Sequence, residues 1–258
     1  MKLILLRHGE SQWNLENRFT GWKDVELTES GKQEAKSAGK KIIESKITVD
    51  SVYTSLLKRA THTSSIVAKY INFNLEHIKY DWRLNERHYG ALQGLNKSET
   101  AEKYGEEQVL VWRRSFDIPP PSLKNDDPRH PRFNSKFDNI KDNLPSGESL
   151  KDVIERLKPF WSEYQNSIMN RFQNNLIVAH SNSLRAIIKI IENLNDEEII
   201  SVNLPTGIPL VYELDDNLTV INKKFLEDSK TLKTLEKKII NQGKIKWVTI
   251  SQIPKFSL

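Results

Sequence analysis

The run Lys2-Leu3-Ile4-Leu5-Leu6 breaks off at Arg7-His8-Gly9-Glu10. The same grammar returns late in the chain, where Asn175-Leu176-Ile177-Val178-Ala179 ends on His180. Short, nearly continuous apolar runs of this kind form strands buried on both faces, as in a parallel sheet. In open α/β sheets, ligands gather outside the carboxyl ends of the strands. Parallel strands would bring His8 and His180 to one edge, with Arg7 beside the first and Arg185 after the second. A histidine there can act as a nucleophile, and an arginine can hold a phosphate fork to fork.

The 258 residues suffice for one large α/β domain or two small ones. A hydrophobic share of 37% and a charged share of 28% are those of an ordinary globular chain. No cysteine is present, which rules out disulfides and thiolate catalysis. The net charge of +5 is spread along the chain rather than gathered into a basic arm, so neither a nucleic-acid partner nor a membrane partner is expected. No apolar stretch approaches a membrane span or a signal-peptide core, and a cytoplasmic location is expected.

Between the two histidine strands, helix and strand signals alternate. Residues 10–26 lack periodicity and read as a loop over the site. A helix is expected from about Thr28, with Ala35, Ala38 and Ile42 on its apolar face. Residues 50–54 read as a strand, 57–70 as a helix and 78–84 as a further strand end. Residues 117–145 hold Pro119-Pro120-Pro121, Pro128 and Pro131, which exclude continuous helix or central strand; a long irregular segment of this kind is usually a lid or insertion. Ser149 is a helix cap ahead of Val153, Ile154, Leu157, Phe160, Trp161 and Tyr164, with a kink expected at Pro159. A helix should start at Asn182, and a late hairpin should pair 209–214 with 218–220 around Asp215-Asp216-Asn217. The predicted fold is α/β, a mainly parallel central sheet flanked by helices.

Glu86, in Leu84-Asn85-Glu86-Arg87-His88-Tyr89-Gly90, is the candidate proton donor. Arg59 could add a second guanidinium at the same sheet edge, while Arg113-Arg114 fits a surface pair or a phosphate clamp. No metal-binding motif occurs, so no metal is expected. His62, His77 and His130 have no chemical neighbours in the sequence.

Taken together, these segments resemble the cofactor-dependent phosphoglycerate mutases of the histidine phosphatase superfamily. The resemblance rests on Arg7-His8-Gly9-Glu10-Ser11-Gln12-Trp13-Asn14, Phe19-Thr20-Gly21-Trp22, Tyr53-Thr54-Ser55, Leu57-Lys58-Arg59-Ala60 and residues 84–96. Trp112-Arg113-Arg114, Ala179-His180 with Asn182-Ser183-Leu184-Arg185, and Asn203-Leu204-Pro205-Thr206-Gly207 continue it in order.

The resemblance implies a phosphohistidine on His8, with Arg7, Arg59, His180 and Asn14 around the transferring group and Glu86 as acid and base. Arg113, Arg114, Lys97, Arg87 and Tyr89 would bind the far carboxylate and phosphate. Ser11, Thr20, Gly21, Ser181 and Asn182 would complete the substrate pocket. It further implies a role in glycolysis and gluconeogenesis, small phosphorylated acids as substrates, 2,3-bisphosphoglycerate as priming donor, no metal, and a homodimer or homotetramer. Ser11, Thr20-Gly21 and Gln93 favour the mutase over the bisphosphoglycerate mutase, and simple phosphatases generally lack the insertion carrying Arg113-Arg114. The other readings are a phosphatase on the same scaffold and a binding-only relative.

Two features depart from the family pattern. Ser181 stands where glycine is usual; glycine permits positive φ and close backbone approach to a ligand, so the serine, with its Cβ, is expected to be tolerated but to lower activity. Residues 247–258 extend beyond a catalytic domain expected to span 1–246. That tail and residues 117–145 are the candidate lids.

Overall fold

Leu3 and Leu5 point to one face of the central sheet and Ile4 and Leu6 to the other, and all four are buried. The computed structural model describes residues 1–169, 173–242 and 244. Its six strands are β1 (Lys2–Arg7), β2 (Ser51–Thr54), β3 (Lys79–Tyr80), β4 (Asn175–Ala179), β5 (Pro209–Leu214) and β6 (Val220–Phe225), in the spatial order β3-β2-β4-β1-β5-β6. The first four strands run parallel; β5 and β6 add an antiparallel edge. The α/β sheet is therefore mainly parallel, as expected.

The helices are α1 (Gln12–Leu15), α2 (Glu29–Glu44), α3 (Lys58–Tyr70), α4 (Lys97–Tyr104), α5 (Glu106–Arg114), α6 (Leu150–Met169), α7 (Ser181–Glu192), α8 (Glu198–Ser201) and α9 (Ser229–Ile240). Ala38 and Ile42 of α2 and Val67 and Ala68 of α3 cover Ile4 and Leu6. On the other face, Val153, Leu157 and Trp161 of α6 and Leu184 and Ile187 of α7 cover Leu3 and Leu5. Each face is sealed by apolar side chains, so both faces of β1 must be apolar.

The chain leaves β1 toward β2 with α2 on one face and leaves β4 toward β5 with α7 on the other. The order reverses at β1 and β4, the position where such sheets form a ligand crevice. Arg7 pairs with Ala179 across these strands, and His8 N–H donates to the Ala179 carbonyl at 3.0 Å. The next residue on each strand is a histidine.

The turn after His8 depends on two glycines. A Cβ on Gly9 would lie 2.1 Å from the Gly31 carbonyl oxygen, and one on Gly31 would lie 2.0 Å from that of Glu10. The start of α2 thus packs backbone to backbone against the Gly9-Glu10 turn. Thr28 caps α2 by accepting from Gly31 N–H at 3.0 Å.

Several local expectations shift. α1 lies inside the expected 10–26 loop, capped by Ser11. The strand near 78–84 is only Lys79–Tyr80 and gives way to a 3₁₀ turn over Trp82–Leu84. The hairpin forms, but its second strand starts at Val220, because Thr219 still belongs to the turn bonded to Asp215. Helix α7 starts one residue early, at Ser181. Ser149 does cap α6, exchanging hydrogen bonds with Asp152, and α6 passes through Pro159 as one helix. Residues 247–258 lie outside the described residues.

Candidate active site

At the carboxyl edge of β1 and β4 a pocket is lined by Arg7, His8, Asn14, Arg18, Thr20, Arg59, Glu86, Tyr89, Lys97, Arg113, Arg114, Ser181, Asn182, Arg185, Ile239 and Gln242. Seven of these are cations and one, Glu86, is an anion. Arg18 pairs with Glu16, whereas the other six form no ion pair among the described residues.

His8 is 2% exposed. Its Nδ1 lies 2.7 Å from the Gly9 carbonyl oxygen, which can only accept, so Nδ1 carries the proton. Arg59 Nε donates to Nε2 at 3.3 Å, which requires a lone pair there. Burial, then Arg59 and Arg7, hold the imidazole pKa well below its ordinary value; the Gly9 bond opposes them in part. His8 is a neutral base with Nε2 toward the pocket. Thr63 secures the arrangement by accepting from Gly9 N–H at 3.0 Å while its hydroxyl donates to the Arg59 carbonyl at 2.7 Å.

The His180 ring lies 5.0 Å from that of His8, centre to centre, and its Nε2 is 2.7 Å from Ser55 Oγ. Its pKa is likewise lowered well below the ordinary value by burial, Arg59 and His8. Arg59 is fixed by donating to the carbonyls of Gly21 at 2.8 Å and Lys23 at 3.0 Å. Arg7 Nη1 donates to the Leu204 carbonyl at 2.9 Å, and its buried Nε has no partner among the described residues.

Glu86 Oε1 accepts from Arg87 N–H at 2.7 Å, Asn182 N–H at 3.2 Å and Asn182 Nδ2 at 2.9 Å. Asn182 also reaches the Tyr89 hydroxyl at 3.3 Å and is held by Arg185 at 3.0 Å. Farther out, Lys97 donates to Gln242 Oε1 at 3.4 Å and Arg113 donates to the Gln242 carbonyl. Burial, then Arg113 and Arg7, hold the Lys97 pKa well below the usual lysine range, and burial lowers Arg113 to about 10. So many buried cations destabilise one another, and a multiply charged anion relieves that strain.

Most of the expected site residues line this pocket; four do not: His180, which packs against the His8 ring, and three that act from behind. Ser11 is buried and caps α1, holding Asn14 Oδ1 at 2.9 Å from its hydroxyl. Gly21, at φ +55°, offers its carbonyl to Arg59. Arg87 is fully buried, donates to the carbonyls of Trp112 and Arg113 at 2.9 Å each, and stacks over Tyr89. It thereby anchors the end of α5 from which Arg113 and Arg114 project.

Two expectations need correction. Ser181 occupies the first turn of α7 and is not among the residues with positive φ, so glycine's backbone freedom is not required there. Its side chain instead adds bulk to the pocket wall. Among the described residues, none of the 117–145 segment lines the pocket. Its Leu123, His130 and Phe137 are buried, Phe137 packs on Trp22 and Leu57, and the Pro121 carbonyl accepts from Ala91 N–H at 2.8 Å. This segment braces the loop after Glu86.

Sequence reasoning missed Arg18, Ile239 and Gln242 as lining residues, and it placed Arg185 at the sheet edge without its hold on Asn182. That hold could have been read from its position three residues after Asn182 on a helix. The contribution of α9 had no signal, because it depends on where a terminal helix docks.

No helix among the described residues is long and apolar enough to cross a membrane. Among them no group of three or more His, Cys, Asp or Glu is placed to hold a metal ion.

The chain matches the histidine phosphatase superfamily (branch 1) over residues 3–127 and 122–224. It is 51% identical over 245 residues to a protein of Parabacteroides distasonis named 2,3-bisphosphoglycerate-dependent phosphoglycerate mutase, covering 95% of this chain and 99% of that one. A protein of the same name from Lachnoclostridium phytofermentans is 52% identical over 246 residues, with coverage of 95% and 99%. Among solved structures, a mycobacterial glucosyl-3-phosphoglycerate phosphatase complexed with VO3 superposes with a TM-score of 0.66 at 21% identity, covering 87% of this chain and 96% of that one. YhfR of Bacillus stearothermophilus gives 0.61 at 24%, covering 85% and 93%. At such identities the likeness concerns the fold alone.

Proposed function

The chain belongs to the histidine phosphatase superfamily, and from that premise we propose that it works as a 2,3-bisphosphoglycerate-dependent phosphoglycerate mutase. It is then an isomerase of glycolysis and gluconeogenesis that interconverts 3-phosphoglycerate and 2-phosphoglycerate. The observation that carries the reading is the hydrogen bond from His8 Nδ1 to the Gly9 carbonyl. It leaves Nε2 as a desolvated lone pair beside Arg59 in a cationic pocket that Glu86 also lines.

The residues present fit a bisphosphorylated acid: six pocket cations and a buried Arg7 Nε, without ionic or hydrogen-bond partners respectively among the described residues, call for a polyanion. When bound, 2,3-bisphosphoglycerate supplies the phosphoryl group that primes His8. Arg7, Arg59, His180 and Asn14 surround that group and offset the negative charge that spreads over its oxygens during transfer. As the phosphoryl group leaves His8 for a substrate hydroxyl, the N–P bond breaks and an O–P bond forms. Glu86 takes the hydroxyl proton; in the return transfer it gives that proton to the departing oxygen. Arg113, Arg114, Lys97, Tyr89 and Thr20 bind the distant carboxylate and phosphate, and Asn182 and Ser181 close the wall between the two ends. Ser11, Gly21 and Arg87 hold these groups in place.

Residues 1–246 would form one catalytic domain acting in the cytoplasm as a homodimer or homotetramer without a metal, a nucleic-acid partner or a membrane partner. Light scattering of the purified protein tests the assembly. A coupled assay with 3-phosphoglycerate, with and without catalytic 2,3-bisphosphoglycerate, tests the reaction. Primer-dependent formation of 2-phosphoglycerate is expected; release of inorganic phosphate as the main product would favour a phosphatase instead.

A further inference from the structure

The loop that carries Glu86 has no regular secondary structure of its own, yet its backbone is held at many points by one side chain from α6. Arg156 donates to the carbonyls of Arg83 at 2.7 Å and of Asn85 and Glu86 at 3.3 Å each. The same guanidinium pairs with Glu148 through Nε at 2.7 Å and Nη2 at 3.1 Å. The side chains of both partners are almost fully buried, at 6% and 5% exposure. Glu148 in turn accepts from His88 N–H at 2.7 Å and returns its own N–H to the His88 carbonyl at 2.9 Å. Glu86 is therefore bracketed on both sides.

A third group completes the bracket. Trp22 Nε1 donates to the Glu86 carbonyl at 2.6 Å, and the Arg156 guanidinium sits 5.6 Å from the centre of the Trp22 ring. None of Glu148, Arg156 and Trp22 lines the pocket. A buried ion pair is weak support for stability, since desolvation offsets most of the attraction. Its donors here are spent on the peptide groups around a single carboxylate, which is the pattern of a support for a reacting group.

We propose that Arg156, charge-paired with Glu148, is a positioning residue that sets the Glu86 carboxylate for proton transfer, an inference resting on Glu86 being the acid and base of the mutase. A lysine at 156 keeps the charge but cannot bridge three carbonyls and a carboxylate at once. The experiment measures primed conversion of 3-phosphoglycerate by the full chain in wild type, Arg156→Lys, Glu86→Gln and the double variant. Arg156→Lys should lower kcat by about 10- to 100-fold, the usual cost of displacing a catalytic group by about 1 Å, with KM changed less than about threefold. In the Glu86→Gln background the same exchange should change kcat by less than about twofold, because its target is gone.

An equal loss in both backgrounds, or an unchanged kcat in Arg156→Lys, overturns the positioning role and leaves the mutase reading intact. An inactive wild type overturns both. Should Arg156→Lys fail to fold, Trp22→Phe removes one donor to the Glu86 carbonyl while keeping an aromatic ring. It is expected to lose about tenfold in kcat, again only when Glu86 is present; a loss that persists in Glu86→Gln counts against the proposal.

Discussion

Asn182 gives one oxygen of Glu86 two hydrogen bonds, from its backbone N–H at 3.2 Å and its Nδ2 at 2.9 Å. With Arg87 N–H at 2.7 Å on the same oxygen, Oε1 accepts three hydrogen bonds, which leaves Oε2 for the proton exchange proposed for Glu86. The first turn of α7 thus orients a carboxylate that lies 96 residues away in sequence.

Removing that orientation should cost turnover more than binding. Asn182→Ala is expected to lower kcat by about 10- to 100-fold, a share of what a positioned acid–base group contributes. Steady-state kinetics with a primed enzyme checks this; an unchanged kcat would show that Glu86 is held adequately without Asn182.

His8 should be neutral at neutral pH, with its proton on Nδ1, and should take up a second proton only well below the pH at which an ordinary histidine does, because burial and two arginines oppose its protonation. Imidazole nitrogen shifts in labelled protein report this directly. In His8→Ala, acid-labile labelling by 2,3-bisphosphoglycerate should vanish; persistent labelling would move the nucleophile elsewhere.

Acid should destabilise the fold through its buried histidines. Burial, then His130 and Arg156, lower His88 to about 3. Because the folded value lies below the unfolded one, this histidine's contribution is complete above the unfolded pKa of about 6.5 and is lost as pH falls toward 3. At pH 5 the expected loss is about 2 kcal/mol for His88. Urea unfolding at pH 7 and pH 5 measures the total, and His88→Gln should reduce the dependence by one proton; an equal slope in both proteins would contradict the assignment.

Ser181→Gly should raise kcat/KM, because the pocket wall loses a hydroxymethyl group that the helical backbone there does not need. The gain is expected to reach about tenfold at most, the worth of a small group in a tight pocket. A reduced or unchanged kcat/KM would mean that the serine is harmless or contributes a contact.

A multiply charged anion should stabilise the protein strongly. At about 100 times its Kd, 2,3-bisphosphoglycerate is expected to add about 2.7 kcal/mol to the unfolding free energy. The shift in midpoint should shrink in high salt, which screens the pocket cations. A thermal melt that does not respond to the ligand would argue against the cationic pocket as its site.

The strands ending on His8 and His180 were legible because apolar runs and strand ends are local properties of the chain. Arg59, Glu86 and Arg113 were readable as residue types beside predicted elements, and the family resemblance gave them roles. Residues 117–145 illustrate the limit. Their prolines correctly excluded a continuous helix or a central strand, leaving only short 3₁₀ turns, but nothing local distinguished a lid from a brace.

The sequence by itself determined the α/β alternation and the two histidine strand ends, since each follows from periodicity within a short window, while the family resemblance supplied the set of cations around them. Only the tertiary structure decided that Gly9 fixes the His8 proton on Nδ1, that Asn182 and Arg156 hold Glu86 from opposite sides, and that α9 brings Ile239 and Gln242 to the pocket. Those are hydrogen bonds and contacts whose strength depends on distance and burial. Except for the turn at Gly9, they join residues far apart in the chain, so no short stretch of sequence encodes them.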